Sequence, residues 1–546
     1  MESRISEPMF PEEKPKRRAR RPAYGAGPAT AVSLTKELWQ AAVNLRGNIE
    51  PADYKRYVLP IIFLRFLSLR YEHRRAQLEG LVREEGSDYF GDEAALEDPD
   101  EYRQAGAFIL PAVARWDNIV RVAQADDIKV RLDGILDLLE KTYPNKLRGL
   151  LPPVYAGSNL SRENVTGLIN LFSKDVFRLD RRGEDLLGRV YEYFIGEFAS
   201  SEGKRGGEYF TPASIVRTLV AMLEPDHGIV FDPCCGSGGM FVQSDIFTQH
   251  NHQLSFVGQE SKDFTYRLCR MNLFIHGLDG NIQLGNSYHD DQHSTLRADY
   301  VLANPPFNDG SGGENGWGSD LIAPDDPRLT IDGQKLPLSP RNANTLWMLH
   351  FLHHLKDGGT AGFVMATGEL SNSEISRLEV RKALVEHDYV DCIIQLSGQL
   401  FANTQIPCSL WFLSKSRHGG NGFRPRTGEI LFIDGRKLGT LILGSRKQKE
   451  LSDEEIERIA AVYRAFRRDR CPDELRGFAA AASTSAVREH GYSLTPGRFV
   501  GSDDDAGDDG PFEERVALLT STLRSQLEQS DALTRELQAV LAALDA

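Results

Sequence analysis

The sequence predicts an α/β fold: a helical N-terminal domain, then a Rossmann-like domain with a mixed, mainly parallel seven-stranded sheet, then a C-terminal helix. Between residues 34 and 198, apolar residues recur at helical spacing, as in LWQAAVNLRGNIEPADYKRYVLPIIFLRFLSLRYE. After Gly203, short apolar strands alternate with segments of helical character, which indicates a doubly wound sheet. After Pro511, leucine and valine residues follow a heptad pattern that is typical of one long helix.

A chain of 546 residues is too long to fold around a single hydrophobic core, so we expect several domains and connecting segments. They are a disordered basic tail (1–30), an α-helical N-terminal domain (31–200), a catalytic domain (201–420), an α+β C-terminal extension (421–500), an acidic linker (501–510) and a heptad-like helix (511–546). The basic tail is either a nucleic-acid-binding arm or a solvated tail. The last helix either packs on its own chain or forms a coiled-coil contact with a partner.

The composition, 41% hydrophobic and 26% charged, is that of a soluble globular protein. We find no apolar run long enough to span a bilayer and no signal-peptide pattern, so we expect a cytoplasmic protein with no membrane partner. Six cysteines in a chain of this length predict no disulfide scaffold, and their spacing shows no zinc-type pair. The net charge of −14 implies that any nucleic-acid contact is local or is supplied by a partner.

Seven apolar segments are the predicted strands, in chain order GIVFD, LSFVGQE, NIQLGN, DYVLAN, TAGFVMAT, DCIIQLS and CSLWFLS. Open α/β sheets bind ligands across the carboxyl ends of their strands. The residues that follow the first four strands are therefore the candidates for a binding site.

A glycine-dense turn follows the first strand in IVFDPCCGSGGMF. Asp232 ends the strand, and the glycines at 236, 238 and 239 allow a ligand to approach the backbone at the start of a helix. The turn is not a dinucleotide fingerprint, because Phe241 stands where that motif has glycine, and no Walker lysine follows. It is either a nucleotide-binding loop or only a tight turn.

Two polar residues at the ends of the next strands favour a nucleoside ligand. Glu260 ends the second strand, where a carboxylate can accept hydrogen bonds from both ribose hydroxyls. Asn286 ends the third, where its amide can pair with an adenine edge.

The fourth strand runs into Asn304-Pro305-Pro306-Phe307. The prolines stop the sheet ladder and keep the backbone rigid. The Asn304 side chain and the Pro305 carbonyl are two acceptors that can hold an exocyclic amino group by its two N–H bonds. Phe307 offers a flat face to a base drawn out of its stack. The chemistry is then one of positioning, with a methyl group displaced in line from a sulfonium.

The motifs DPCCGSGG and NPPF, in this order, resemble the gamma arrangement of the amino-group methyltransferases that use S-adenosyl-L-methionine and act on adenine in DNA. The segments GGEYFTP (206–212), GQESKDFTYRLCRMNLFIHGL (258–278) and GQLFANTQIPCSLWFLSK (398–415) strengthen the resemblance. Together with the helical N-terminal domain, they resemble the modification subunit of type I restriction–modification systems.

The resemblance implies an S-adenosyl-L-methionine-dependent DNA adenine-N6 methyltransferase. The cofactor-binding residues that it implies are Glu208, Tyr209, Phe210, Thr211, Asp232, Gly236, Ser237, Gly238, Gly239, Glu260 and Asn286. The catalytic residues that it implies are Asn304, Pro305, Pro306 and Phe307. Asn286 stands where the family commonly has Asp, so at most weaker cofactor binding is expected. Cys234 stands where a small residue is usual, and a core position is expected for it.

We expect no metal site. His350 and His354 in HFLHHL lie one helical turn apart, a spacing found in metal sites, but Phe351 occupies the position where the zincin motif has glutamate.

The partners implied are double-stranded DNA, a specificity subunit that reads the target, a second copy of the chain and a restriction subunit. Three alternatives remain open: a methyltransferase of another defence system that acts without a specificity subunit, a protein-glutamine or ribosomal-RNA methyltransferase, and a non-catalytic DNA-binding scaffold. Phe307 counts against the protein-glutamine or ribosomal-RNA methyltransferase, because those enzymes typically carry NPPY. The intact NPPF motif counts against the non-catalytic scaffold.

Overall fold

A computed structural model describes residues 29–47, 49–177, 181–202, 211–310, 317–401, 405–420, 422–442, 448–469 and 475–501, together with Thr520, Ser521 and Arg524. The predicted basic tail lies outside the described residues except at its last two positions. So does the acidic linker beyond Gly501, and the predicted C-terminal helix apart from the three residues named.

The N-terminal region is helical, as predicted. Its described helices are α1 (Ala29–Asn44), α2 (Pro51–Arg83), α3 (Pro99–Gln104), α4 (Trp116–Val122), α5 (Ile128–Thr142), α6 (Pro144–Leu147), α7 (Arg162–Phe172) and α8 (Arg181–Glu202). The centre of the region is α2, which packs against α4, α7 and α8. Residues 58–69 are buried on every side of α2, as expected for a helix that is apolar all round.

The strands of the described residues are β1 (Gly228–Asp232), β2 (Leu254–Glu260), β3 (Gly280–Leu284), β4 (Ala298–Ala303), β5 (Thr330–Ile331), β6 (Gln334–Lys335), β7 (Leu355–Ala366), β8 (Val390–Leu396), β9 (Cys408–Ser414), β10 (Glu429–Gly435), β11 (Thr440–Leu441), β12 (Lys449–Glu450) and β13 (Ala479–Ser483). Within them, one sheet runs in the order β13-β10-β8-β9-β7-β4-β1-β2-β3. Of its strands, β9 and β13 are antiparallel to their neighbours and the others run parallel to one another.

The mixed, mainly parallel sheet is confirmed, but its predicted size of seven strands is wrong. The structure has nine strands in this sheet, because β10 pairs with β8 and β13 pairs with β10. Both added strands come from residues 421–500, which we predicted as an α+β extension. Their apolar residues complete the two faces of the same sheet, with Leu431 and Ile433 on one face and Ile430 and Phe432 on the other.

Helices cover both faces of the sheet. The remaining described helices are α9 (Ala213–Leu223), α10 (Gly239–Phe247), α11 (Asp263–Ile275), α12 (Asn344–His353), α13 (Ile375–Glu386), α14 (Asp453–Arg468) and α15 (Thr484–Glu489). One core lies between the sheet and α9, α10, α11 and α14, and a second lies between the sheet and α12, α13 and α15. Among the described residues, no helix has both the length and the apolar character needed to cross a bilayer.

Helix α11 joins the helical region to the sheet. Its residues Leu268, Met271 and Ile275 belong to the core of the helical region, whereas Cys269 and Leu273 belong to the core under the sheet. One helix therefore fixes the distance between the two parts, and the loops at the nearby strand ends are held between them.

A buried ion cluster joins residues 421–500 to the strands that precede them in the sequence. Asp391 on β8 accepts hydrogen bonds from Arg417, Arg426 and Tyr463, of which Tyr463 lies on α14. Burial alone would raise the pKa of Asp391, but the two guanidinium groups hold this pKa well below its usual range. The carboxylate is thus ionised in the folded protein and is the counter-charge of Arg426, while it shares Arg417 with Asp388.

We predict that Asp391→Asn lowers the free energy of unfolding by about 3–5 kcal/mol, because it leaves the buried guanidinium of Arg426 without a counter-charge and leaves Arg417 with only one carboxylate partner, Asp388. Urea denaturation followed by circular dichroism measures the change. The matched control is Asp137→Asn, which removes an exposed ion pair with Lys141 and is expected to change stability by less than about 1 kcal/mol. Equal effects of the two substitutions would contradict the prediction.

Candidate functional site

A cavity of about 430 Å³ opens at the carboxyl ends of the central strands. It is enclosed by the loop after β1, the start of α9, the end of β4 and one side of α8. The predicted site residues that line it are Thr211, Asp232, Gly236, Ser237, Gly239 and Asn304. The structure therefore brings part of the predicted cofactor loop and the first residue of the predicted base-binding motif to one cavity. The lining does not include the predicted site residues Gly238, Glu260, Asn286, Pro305, Pro306 and Phe307.

The strand ends align because the strands pair in parallel. Asp232 of β1 lies opposite Gly258 of β2, and Glu260 of β2 lies opposite Leu284 of β3. On the other side of β1, Phe231 lies opposite Val301 of β4. Parallel pairing thus carries the polar residues of four strands to the same edge of the sheet.

Asp232 is a buried acid in the cavity wall, and its pKa is raised. Its side chain is buried, and one carboxylate oxygen accepts a hydrogen bond from the Cys234 backbone N–H at 3.0 Å. Burial, and then the negative charge of Glu260, raise the pKa of Asp232 to about 7, although the bond from Cys234 opposes the rise. A carboxylate held this way is poorly solvated, so a cation in the cavity would stabilise its ionised form.

The glycine loop needs its glycines for conformation and for space. Gly236 and Gly238 have φ values of +54° and +79°, which side-chain-bearing residues rarely adopt. A Cβ on Gly238 would also lie 2.9 Å from the Cys269 sulfur. A Cβ on Gly239, the first residue of α10, would meet no atom within 4 Å, so the helix N-terminus faces open space in the cavity. The free N–H groups there are able to bind an anion.

Glu260 holds the same loop from the second strand. Its carboxylate accepts hydrogen bonds from the backbone N–H groups of Gly236 at 3.0 Å and Lys262 at 2.9 Å. Asn286 lies two residues beyond β3, rather than at the end of the strand as predicted. Its side-chain oxygen accepts from the Tyr288 N–H at 2.9 Å, which closes a turn at this edge of the sheet.

Asn304 follows β4 directly and points its amide toward the start of α9. Its Nδ2 donates a hydrogen bond to the Thr211 hydroxyl oxygen at 2.9 Å. Phe307 is half-buried and meets the ring of Phe401 edge-on, with centroids 6.0 Å apart and an interplanar angle of 82°. The rings of this pair are thus perpendicular to one another beside the NPPF motif.

The end of the NPPF loop is fastened to α12. Asn308, at φ +53°, donates its backbone N–H to the Asn344 side chain and accepts a bond back from the same amide at 3.0 Å. The Asp309 carbonyl accepts from the Ala343 N–H, and its carboxylate accepts from Tyr288. The loop after the motif therefore has a defined position.

Sequence reasoning missed two contributors to the cavity. Helix α8 of the helical region supplies part of the wall through Arg189, Glu192, Tyr193 and Glu197. Asn272 of α11 also lines the cavity, and its Nδ2 donates to the Ser237 carbonyl at 2.9 Å, which braces the glycine loop. Asn272 lies within the segment 258–278 that carries the family resemblance, but no role was predicted for it, and no local motif marks the α8 residues. They reach the cavity only because α8 and α11 pack beside it.

Cys234 packs against the core that contains α12, α13 and α15, as expected, but it is only half-buried and also lines the cavity. It lies beside the loop after β1, where its backbone binds Asp232. Burial, and then the negative charges of Asp232 and Glu260, raise the pKa of the Cys234 thiol well above its ordinary value. The thiol therefore stays protonated and is a poor nucleophile.

His350 of α12 and His354 just after it form a cluster with Asp291, in which the potential ligand atoms lie within 4.8 Å of one another. His354 bonds Asp291 at 3.0 Å through one ring nitrogen and the Leu296 carbonyl at 3.1 Å through the other. Arg328 donates to His350 Nδ1 at 3.2 Å. These bonds tie the segment after β3 to α12, and a guanidinium in contact with the cluster opposes a second cation. The expectation of no metal site stays a prediction.

The predicted cofactor residues Glu208, Tyr209 and Phe210 lie outside the described residues. Thr211, the residue that follows them, is described and lines the cavity.

Two family models match the chain. The one described as N-6 DNA Methylase matches residues 182–508, which is more than half of the chain, and the one described as HsdM N-terminal domain matches residues 34–174. The boundary between the two matches falls between α7 and α8, so the N-6 DNA Methylase match includes the α8 wall of the cavity.

Curated relatives match along nearly the whole chain. The type I restriction enzyme MjaIX methylase subunit of Methanocaldococcus jannaschii is 38% identical over 521 residues, which cover 93% of this chain and 91% of that protein. The type I restriction enzyme HindI methylase subunit of Haemophilus influenzae is 35% identical over 462 residues, which cover 80% and 99%.

A solved structure shares the fold. The type I restriction–modification system methyltransferase subunit from Streptococcus thermophilus superposes with a TM-score of 0.69 at 24% identity, covering 86% of this chain and 99% of that one. The family matches and the curated relatives show that the chain belongs to the N-6 DNA methylase family. It is an adenine-specific, S-adenosyl-L-methionine-dependent DNA methyltransferase of the type I modification-subunit kind.

Proposed function

We propose that this chain transfers a methyl group from S-adenosyl-L-methionine to the N6 amino group of adenine in a specific double-stranded DNA site, as the modification subunit of a phage-defence complex. The observation that carries the proposal is the shared cavity, which Asp232 and Asn304 both line. Family membership favours this function over a methyltransferase that needs no specificity subunit, over a protein-glutamine or ribosomal-RNA methyltransferase, and over a non-catalytic scaffold.

The cavity residues fit the charged end of the cofactor, which supplies the methyl group on a sulfonium. The buried Asp232 carboxylate suits a cationic ligand, and the open N-terminus of α10 at Gly239 suits a carboxylate. The cavity volume lies within the usual range for small-molecule sites. We assign the methionine end to Asp232 and residues 236–239, the ribose to Glu260 and the adenine edge to Asn286. The proposed reaction uses no metal.

The NPPF motif supplies the base-binding end. Asn304 Oδ1 and the Pro305 carbonyl accept the two N–H bonds of the target amine, so the nitrogen lone pair is directed at the methyl group. Pro305 and Pro306 hold this geometry at little entropic cost, since their backbone is already fixed. Phe307 stacks on the base, which has left the duplex. Residues 208–210 remain assigned to the border of the cofactor.

Other chains are needed to read the DNA sequence. The curated relatives are named as subunits of type I restriction enzymes, which supports assembly of this chain into a complex. A net charge of −14 gives it little non-specific affinity for DNA. We therefore propose a separate specificity subunit, a second copy of this chain and a restriction subunit as partners, in the cytoplasm. Residues 511–546 are the proposed docking element.

The raised pKa of Asp232 predicts that cofactor affinity depends on pH. A cationic ligand requires the ionised carboxylate, so the affinity for S-adenosyl-L-methionine should fall by up to about tenfold per pH unit below 7. Asp232→Asn should bind weakly and without this pH dependence. Calorimetry between pH 6 and 8.5 measures both, and a flat wild-type profile would reject the assignment.

We also predict that removing the Asp232 carboxyl group increases the free energy of unfolding of the protein. Asp232 ionises at about 7 when folded but near 3.8 when unfolded, so its burial destabilises the fold increasingly from pH 4 to 7, and fully above 7. Without cofactor, Asp232→Asn should be more stable than wild type by on the order of 2–4 kcal/mol at pH 8 and by less at pH 5. Urea denaturation at the two pH values checks this, and a pH-independent difference would contradict it.

Asn304→Ala should lower methyl transfer to adenine by about 100-fold or more, because the acceptor that positions the amine is lost. Phe307→Ala should weaken base binding by about 1–3 kcal/mol through the lost stacking face. Neither should change cofactor affinity by more than about twofold. The assay follows a labelled methyl group with the assembled complex, and Asn281→Ala, an exposed residue of β3, is the control. Transfer by Asn304→Ala at the wild-type rate would exclude the mechanism.

Partner dependence is tested by comparing the chain alone with the chain co-expressed with the specificity subunit. The isolated chain should bind S-adenosyl-L-methionine but bind DNA weakly, and site-specific methylation should require the partner. Deleting residues 511–546 should leave cofactor binding unchanged and reduce co-purification. Normal assembly of the truncated chain would move the partner contact to another surface.

A further inference from the structure

The side chain of Asn304 has two ends with opposite hydrogen-bonding character. Its Nδ2 can only donate and its Oδ1 can only accept, and a rotation of 180° about the last side-chain bond exchanges their positions. The amine of the target base requires the accepting end. A side chain in the exchanged orientation would present N–H groups to the N–H groups of the substrate. The orientation of this amide is therefore a condition for the proposed reaction.

The structure contains a group that sets this orientation. Asn304 Nδ2 donates to the hydroxyl oxygen of Thr211 at 2.9 Å, across 93 residues of sequence. In the exchanged orientation Oδ1 would face that oxygen, and the bond would survive only if the hydroxyl turned to donate. In the structure, the hydrogen bond to Thr211 holds the amide in the orientation in which Oδ1 is directed away from the hydroxyl.

Both partners stand on rigid supports. Thr211 precedes Pro212, whose ring restricts the backbone of the residue before it, and the Pro212 carbonyl accepts the first hydrogen bonds of α9. Residues 214–216 and 218–223 of α9 are buried. Asn304 leaves β4, which is held between β1 and β7. The distance between Thr211 and Asn304 is therefore fixed by two well-packed elements, α9 and β4.

We propose that Thr211 is a positioning residue for methyl transfer, which fixes the amide of Asn304 with Oδ1 toward the base, in addition to bordering the cofactor. The proposal rests on the proposed function, because it presupposes that Asn304 binds the target amine. It differs from a cofactor contact in what it predicts: the loss of the hydroxyl lowers the rate of transfer even at saturating cofactor.

The test compares Thr211→Val, which has nearly the same shape but no hydroxyl, with Thr211→Ser, which keeps the hydroxyl. The control is Thr218→Val, which removes a buried hydroxyl of the same type on α9, bonded to the Ser214 carbonyl. Each variant is prepared as the complex with the specificity subunit. Calorimetry gives the cofactor dissociation constant, and single-turnover methylation of a DNA duplex at saturating cofactor gives the rate.

We expect Thr211→Val to lower the single-turnover rate at saturating cofactor by about 3- to 10-fold, the value of one hydrogen bond, in addition to any change in the cofactor dissociation constant. Thr211→Ser should restore at least half of the rate, and Thr218→Val should leave it within twofold of wild type. A wild-type rate for Thr211→Val, a defect confined to cofactor affinity, or failure of serine to restore the rate would each overturn the proposal. An inactive wild-type complex would instead reject the proposed function.

Discussion

The parallel pairing of β1 with β4 is the constraint on which the site depends. Val230 lies opposite Tyr300 and Phe231 opposite Val301, so the residues that follow the two strands emerge side by side at one edge of the sheet. Both strands are interior, with β2 beyond one and β7 beyond the other. The backbone that leads into Asp232 and Asn304 is therefore held by a strand on each side, and the separation of the two residues follows from the sheet itself.

An unfavourable electrostatic interaction between two acids lies beside the cavity. Asp232 is a carboxylate in a poorly solvated position next to a second acid, Glu260, and the fold offers its ionised form one backbone N–H. The Asp391 cluster shows the opposite solution, in which two guanidinium groups neutralise a buried acid. The difference supports the proposed role of Asp232, since a cationic ligand in the cavity would supply the positive charge that the fold does not place beside this acid.

The helical region takes part in the cavity as well as in the outer architecture. Helix α11 belongs to both cores and braces the glycine loop through Asn272, and α8 forms part of the cavity wall. A change in the packing of the helical region against the sheet would therefore alter the cavity directly.

The sequence alone determined the fold class, the helical N-terminal region, the strand ends and the motif residues, because hydrophobic periodicity and the glycine and proline signals are local. It predicted Asp232 at the end of β1 and Asn304 after β4, where the structure has them, but it did not show that the two residues line one cavity. Tertiary structure decided the rest. The two added strands, the pairing of Thr211 with Asn304 and the positions of Asn272, Cys234 and the α8 residues each depend on contacts between segments distant in sequence. The pKa of Asp232 likewise depends on burial, which no local pattern encodes.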